Sequence, residues 1–309
     1  MSSVNTLVFG ATGAVGSAAA HAAKDHGANV ILAVRDLAKP MPNTTLEEEQ
    51  DLGFSRVQAD LLNPDSLRAA VKATKATRAF VYVAFGSPDY MKSSFEALKS
   101  AGIEFVVLLS SAGIFGDPRD VKPESPVFFG PAQAEIGLEE TFGKGGYVAV
   151  RPASFASNSL WWREGIQAGE VRLPYPQATN DCISPADIGR VSGAVLAKGP
   201  SVIGGLDGKY NDIRLYGPKL VSQGDAAVII GKAVGKEVKV TTVSEEKYVE
   251  SLARLMPEAL AWNVVTGFRV RAGLEADDGA YAEPGFSEAS GNVEKYGGKP
   301  STQFGEWVE

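Results

Sequence analysis

The chain has 309 residues, enough for one large α/β domain or a large domain with a smaller lobe, and its 44% hydrophobic and 22% charged residues are ordinary for a globular protein. A net charge of −7 and a pI near 5.1 argue against nucleic acid or an anionic membrane as the main partner. The single cysteine excludes an internal disulfide, one cysteine and two histidines are too few for an ordinary zinc site, and no apolar run reaches the length of a bilayer span.

The first residues lead directly into a strand, Thr6 to Phe9, with no basic segment and apolar signal region before it, which points to a cytoplasmic protein. Gly10-Ala-Thr-Gly13-Ala-Val-Gly16 follows at once, then an alanine-rich helix from Ser17 to Asp25 stopped near Gly27, then a second apolar strand from Asn29 to Val34. Strand, glycine turn, helix and strand within about thirty residues make a βαβ unit. The alternation continues with strands at Ser55 to Ala59, Ala79 to Ala84, Glu104 to Leu109 and Tyr147 to Val150. Helices fall between them at Asn63 to Val71, Ser94 to Ala101 and Ala132 to Phe142. Nearly all-apolar strands alternating with helices predict a parallel sheet covered on both faces.

After about residue 152 the segments become shorter and richer in proline. A helix opens at Ser184-Pro-Ala-Asp187 and runs to Leu196, another spans Ser222 to Ala233, a strand follows at Glu237 to Val243, and Ser244 caps a helix to Leu255. The expected organisation is a dinucleotide-binding core over residues 1–152 and a smaller mixed lobe over 153–309, a substrate-binding part whose elements are partly shared with the core.

The glycine turn carries the chemistry. Unpaired N–H groups at a helix start, with the helix dipole, form an anion site suited to a pyrophosphate, and glycine lets the phosphate approach closely. The alternative is a turn that merely packs helix on strand; its place between a strand and a helix favours the binding role.

The spacing of Gly10, Gly13 and Gly16 differs from G-x-G-x-x-G, and here the chain resembles the NmrA-like branch of the atypical short-chain dehydrogenase/reductase superfamily. The likeness rests on residues 10–16 and on Val34-Arg35-Asp36, Ala59-Asp60-Leu61 and Leu109-Ser-Ser111-Ala-Gly113. It continues through Arg151-Pro-Ala-Ser-Phe155 with Asn158, Ala186-Asp-Ile-Gly189 and the ending Gly298 to Phe304. It implies a Rossmann-type doubly wound sheet binding NADP(H). The turn residues Gly10, Thr12, Gly13, Ala14 and Val15 would hold the phosphates. By the same resemblance Asp60 and Leu61 lie around the adenine, Ala84, Phe85 and Gly86 line the ribose and nicotinamide path, and Phe155 packs near the nicotinamide.

Charge bears on which cofactor. NAD-preferring folds place an acid after the second strand, whereas Arg35 stands here with Lys39 nearby, and a guanidinium suits a 2′-phosphate. Asp36 either pairs with Arg35 or repels that phosphate. Related reductases use a serine after the fifth strand and a Tyr-x-x-x-Lys pair on the next helix. Ser111 matches the serine; a turn serine bonding the backbone is the alternative. Phe129 stands for the tyrosine and Gln133 for the lysine, so the proton-transferring dyad is absent and Gln133 is left to bond ribose or substrate.

Three functions follow. One is an NADP(H)-dependent reductase of an iminium, carbonyl, quinone or activated alkene, in natural-product biosynthesis as in other members of the branch. Another is an NADP(H)-sensing regulator that binds a protein partner. The last is a cofactor-retaining enzyme of a non-redox step such as cyclisation. Aromatics near the expected nicotinamide site, with Phe115, Phe129, Trp161 and Trp162 beside Asn158, favour a small-molecule pocket over a docking surface. Adjacent Trp161 and Trp162 cannot both face one way on regular structure, so at least one is expected in the pocket or exposed. His21 and His26 read as surface or packing residues, Cys182 as an inert thiol, and Asp187 as support for its helix opening.

Overall fold

The computed structural model describes residues 3–206, 210–276 and 279–309. In chain order the first half runs β1 (Asn5–Phe9), α1 (Ala14–Asp25), β2 (Asn29–Val34), α2 (Leu46–Asp51), β3 (Ser55–Gln58), α3 (Pro64–Thr74), β4 (Arg78–Tyr82), α4 (Lys92–Ala101), β5 (Phe105–Leu109), α5 (Pro126–Phe142) and β6 (Tyr147–Pro152). The second half adds α6 (Arg163–Ala168), β7 (Glu170–Leu173), β8 (Thr179–Asn180), α7 (Pro185–Lys198), β9 (Asp212–Leu215), β10 (Val221–Ser222), α8 (Gln223–Ala233) and β11 (Lys239–Thr242). Four helices close it: α9 (Glu245–Leu252), α10 (Glu258–Arg271), α11 (Gly285–Gly297) and α12 (Phe304–Val308).

Seven of these strands form one sheet in the order β3-β2-β1-β4-β5-β6-β9, every neighbouring pair parallel. Side chains of a strand alternate between faces, and here both faces are dry. Val8, Leu32, Val107 and Val150 pack with Ala19, Ile188 and Val195 on one side. Leu7, Ile31, Val106 and Ala149 pack with Leu67, Phe95 and Leu138 on the other. This is the doubly wound Rossmann architecture. The order reverses between β1 and β4, and a crevice opens at the carboxyl ends of strands there.

Helix α7 anchors the second half of the chain to the first. A Cβ on Gly189 would stand 2.3 Å from the Val15 carbonyl oxygen, and one on Gly193 would stand 2.2 Å from that of Ala19. Only glycine at these two positions, against the alanines of α1, allows so close an approach. The Ser184 hydroxyl caps α7 by accepting from the Ala186 N–H. Asp187 does more than sit in the first turn: it pairs with Arg190 at 2.5 Å and accepts the Thr302 N–H at 2.7 Å, fastening the C-terminal segment.

The smaller lobe has its own core of Ile166, Val171, Leu173, Tyr248, Val265 and Phe268. Its strands pair as β7 with β11, parallel, and β8 with β10, antiparallel. The described residues of 153–309 are thus divided, with α7, residues 199–206, β9 and α11 on the main sheet and α6, β7, α8, β11, α9 and α10 in the lobe.

Several elements depart from the sequence reading. Helix α5 begins at Pro126 and continues through Pro131, which lies past the first turn and removes the N–H that would bond the Val127 carbonyl. Strand β4 ends at Tyr82, so Val83 and Ala84 leave the sheet. Strands β7, β8, β9 and β10 and helices α2, α6, α10, α11 and α12 are additional elements. Among the described residues no helix is long and apolar enough to cross a membrane.

Candidate active site

Gly10 turns the chain out of β1 in the left-handed region, at φ +73°, which favours glycine. Gly16 is required by contact: a Cβ there would stand 2.2 Å from the Gly10 carbonyl oxygen. The turn therefore folds directly onto the first turn of α1. Gly13, exposed, is the N-cap of α1; it supplies no side-chain cap, and no acidic residue occupies the first turn. The helix start is left open for an external anion, and Thr12, Ala14 and Val15 surround it with no competing charge. These residues fit a dinucleotide pyrophosphate.

Beside the turn a cleft of about 1080 Å³ crosses the carboxyl ends of the strands. Gly10 borders it through Tyr82, whose ring lies 3.0 Å from where a Gly10 Cβ would stand. Arg35 and Asp60 line one end, after β2 and β3. The Asp36 carboxylate accepts the Ala38 N–H at 2.8 Å, so it closes a local turn instead of pairing with Arg35. Among the described residues the exposed Arg35 side chain makes no hydrogen bond or ion pair, and it is free for a phosphate. Lys39 does not line the cleft; its carbonyl accepts from Arg56, which turns that segment away along β3. Leu61 is a core residue packed under the sheet, not a cleft residue. The Asp60 carboxylate accepts the Leu62 N–H at 2.9 Å, and this turn brings Leu62 to the cleft in its place.

The middle of the cleft is lined by Ala84 and Phe85, by Ser111, and by Phe155. Ser111 faces the cleft, and its hydroxyl accepts the Gly113 N–H at 3.3 Å. The ring of Phe128 packs on Gly113, where a Cβ would stand 2.3 Å from it.

Helix α5 turns a different face to the cleft than the motif spacing implied. Val127, Phe128 and Pro131 line the cleft; Phe129 and Gln133 do not. Each residue advances a helix by about 100°, so the 129/133 edge lies beside the 127/128/131 edge and faces the β4–α4 connection. Phe129 lines a second, smaller pocket of about 240 Å³ with Gly86 and Tyr90, its ring edge-on to Tyr90 at 5.6 Å. Gln133 lines neither pocket. Phe85, exposed, borders both pockets.

The far end of the cleft is aromatic. Phe115, Trp161 and Trp162 line it with Asn158, and both tryptophans reach it from the 3₁₀ segment Ala156–Trp162. Trp162 is held by its indole N–H, which donates to the Tyr248 hydroxyl at 3.0 Å. Tyr216, Phe268, Arg271 and Tyr281 also line this end, all from the later half of the chain. Nothing in the local sequence marks them; the lobe brings them in. Cys182 is half-buried and in the left-handed region at φ 48°; burial, then the nearby Asp181, pushes its thiol up to about 12.

Under the floor lies a network that the motifs did not indicate. Arg151 of β6 and Glu135 of α5 form a buried ion pair, 2.6 Å from Nη2 to Oε2. Ser110 donates to Glu135 at 2.5 Å, and Arg151 donates to the Ile114 carbonyl at 3.0 Å. The network fixes the β5–α5 connection that carries Ser111 and Phe115. A second buried acid, Asp181, accepts the Ser154 and Gly217 N–H groups, both at 2.9 Å, and the Tyr281 hydroxyl at 2.8 Å. Burial, then the Asp181 charge, drives the Tyr281 phenol well above its ordinary range.

Residues 10–198 match the model of the NAD(P)H-binding family. A nitrogen metabolite regulation-like protein, bik4, of Gibberella fujikuroi is 37% identical, the alignment covering 98% of this chain and 95% of that protein. A (4-alkanoyl-5-oxo-2,5-dihydrofuran-3-yl)methyl phosphate reductase of Streptomyces griseus is 25% identical, over 97% of this chain and 95% of that one. Among solved structures, the Citrobacter sp. triphenylmethane reductase complexed with NADP(H) has a TM-score of 0.69 at 16% identity, covering 98% of each chain. The chain belongs to the NAD(P)H-binding family, in its NmrA-like branch.

Proposed function

From that membership as premise, we propose that the protein is an NADP(H)-dependent reductase of an apolar or aromatic small molecule. One observation carries this: the cleft is continuous from Arg35 and Asp60 at one end to Phe115, Trp161 and Trp162 at the other. A cofactor at the first end and a substrate at the second would share one enclosure, which is the geometry hydride transfer needs. The 2′-phosphate is assigned to Arg35, and NADP(H) is favoured over NAD(H) because Asp36 is occupied locally.

The bound cofactor supplies the hydride. The chain's own residues orient the acceptor and exclude water: the aromatic walls by contact, Asn158 and Ser111 by hydrogen bonding. The positions where related reductases carry a tyrosine and a lysine hold Phe129 and Gln133 here, and neither lines the cleft. Acceptors that need little acid help fit best: iminium ions, quinones and activated alkenes. The substrate in the name of the Streptomyces griseus reductase, a dihydrofuranone, is an alkene conjugated to a carbonyl, and the Citrobacter enzyme is named for triphenylmethane dyes. Place in a biosynthetic pathway and a cytoplasmic site belong to the same reading.

The test is consumption of NADPH, followed by its absorbance, with a panel of quinones, conjugated enones and cationic dyes. Turnover of one class with stoichiometric reduced product is expected. A second reading is favoured by the similarity to the Gibberella fujikuroi protein, whose name describes regulation: the chain binds the cofactor and presents the loaded cleft to a partner protein. NADPH that binds but is not consumed by any member of the panel would favour it over the reductase.

A further inference from the structure

We propose that the far end of the cleft selects aromatic substrates bearing an anionic group, a carboxylate or a phosphate, and that Arg271 receives it. The proposal rests on the reading of the cleft as a small-molecule site.

The cationic side chains lining the cleft, among the described residues, are Arg35 and Arg271. They are far apart. Arg35 follows β2, whereas Arg271 lies over the ring of Tyr281, 5.3 Å from its centroid. Tyr281 is tied through Asp181 to Ser154, just past β6. From β2 to β6 the sheet order gives four strand spacings, roughly 19 Å at about 4.8 Å each. One phosphate cannot meet both arginines. If Arg35 serves the cofactor, Arg271 is left at the substrate end.

Arg271 is also the cation there without a hydrogen bond or ion pair among the described residues, although its charge acts on the buried Asp181. Arg269, two residues earlier, is tied to Glu245 and to Glu275. Arg214, stacked on Phe115 at 5.1 Å, donates to the Ile114 carbonyl at 2.9 Å. Arg151 is consumed by Glu135. By contrast the Arg271 Nε is buried without a hydrogen-bond partner, and no carboxylate of the described residues forms an ion pair with the side chain. Asp181 is near, but its oxygens already accept from Ser154, Gly217 and Tyr281.

The guanidinium is also held in place. It lies back along α10 over Gly267, where a Cβ would stand 3.2 Å from Nη1. A side chain at 267 would crowd it, and the Tyr281 ring supports the other side. A planar cation fixed on an aromatic platform, with an unsatisfied buried donor, recognises a carboxylate or phosphate through paired hydrogen bonds. Phe115, Phe128, Trp161 and Tyr216 line the same cleft and suit a flat apolar body beside that anion.

The probe pair is 2-naphthoate and its neutral isostere 2-naphthamide, titrated calorimetrically into the full chain with and without NADPH. The wild type is expected to bind naphthoate roughly ten- to a hundredfold more tightly than the amide, the scale of a charge-assisted pair. Arg271→Gln should bring that ratio to about one, and Arg271→Lys should keep part of it, while NADPH affinity stays unchanged in both. A wild-type ratio near one, with binding of neither probe counted as such, or a ratio that survives Arg271→Gln, overturns the proposal. Absence of NADPH binding would instead strike the cofactor reading, and the naphthoate ratio is read independently of it in the arm without NADPH.

Discussion

Cys182 shows how a residue on a cleft wall can be chemically silent. Its thiol faces the cleft, but burial and the neighbouring Asp181 raise it to about 12 from 9.0. At pH 8 that leaves about a thousandfold less thiolate than an ordinary cysteine holds, and the thiolate is the nucleophile. Alkylation of the native protein by iodoacetamide at pH 8 should therefore be slower than that of free cysteine by at least a hundredfold. A rate near that of free cysteine would show the thiol to be activated. Other residues are legible from the sequence alone because their chemistry is local. Gly10 and Gly16 are demanded by a turn that cannot hold a side chain. Arg35 is placed by position, one residue past a strand end. Phe129 and Gln133 failed for a physical reason: motif spacing carries a residue along a helix but does not fix how the helix is rolled against the sheet. Leu61 and Leu62 differ by one position, and the Asp60 carboxylate on the Leu62 N–H decides which of them turns inward.

At the scale of elements, the connection between β5 and α5 is held from below. Glu135 and Arg151 are both essentially fully buried. Removing the charge of one leaves the other in a low-dielectric interior, which costs about 3 kcal/mol or more. Arg151 keeps a longer contact with Asp212, at 3.4 Å, and the Ile114 carbonyl, so Glu135→Gln should fall at the lower end of that range. Urea denaturation should register the loss, together with weaker substrate binding, because Ser111 and Phe115 ride on this connection. A loss below about 1 kcal/mol would mean that the pair is not the support described. The strands of the main sheet were legible because burial on both faces makes them nearly all apolar. β9 was not, since Asp212-Ile-Arg-Leu215 alternates over only four residues. α10 was missed although Ala261, Val265 and Phe268 are spaced as one helical face; Trp262 and Val264, lying between them, blur that stripe.

At the scale of the whole molecule, the cleft is assembled from segments far apart in sequence. One end comes from the turns after β2, β3 and β4; the other comes from α10 and the segment before α11. The first end was readable because a βαβ unit announces its own binding site. The second was not, because it depends on how the lobe docks, through Gly189 and Gly193 against α1 and through β9 beside β6. In the proposed reading, Gly10, Gly13, Gly16 and Arg35 form the cofactor end and the lobe supplies the specificity.

The most direct measurement on that division is a calorimetric titration of the wild type and Arg35→Ala with NADPH and with NADH. The wild type should prefer NADPH, and Arg35→Ala should lose about tenfold in NADPH affinity, the scale of a charged hydrogen bond, with little change for NADH. Equal losses for the two cofactors, or a wild type that binds NADH as tightly as NADPH, would contradict the assignment of Arg35 to the 2′-phosphate.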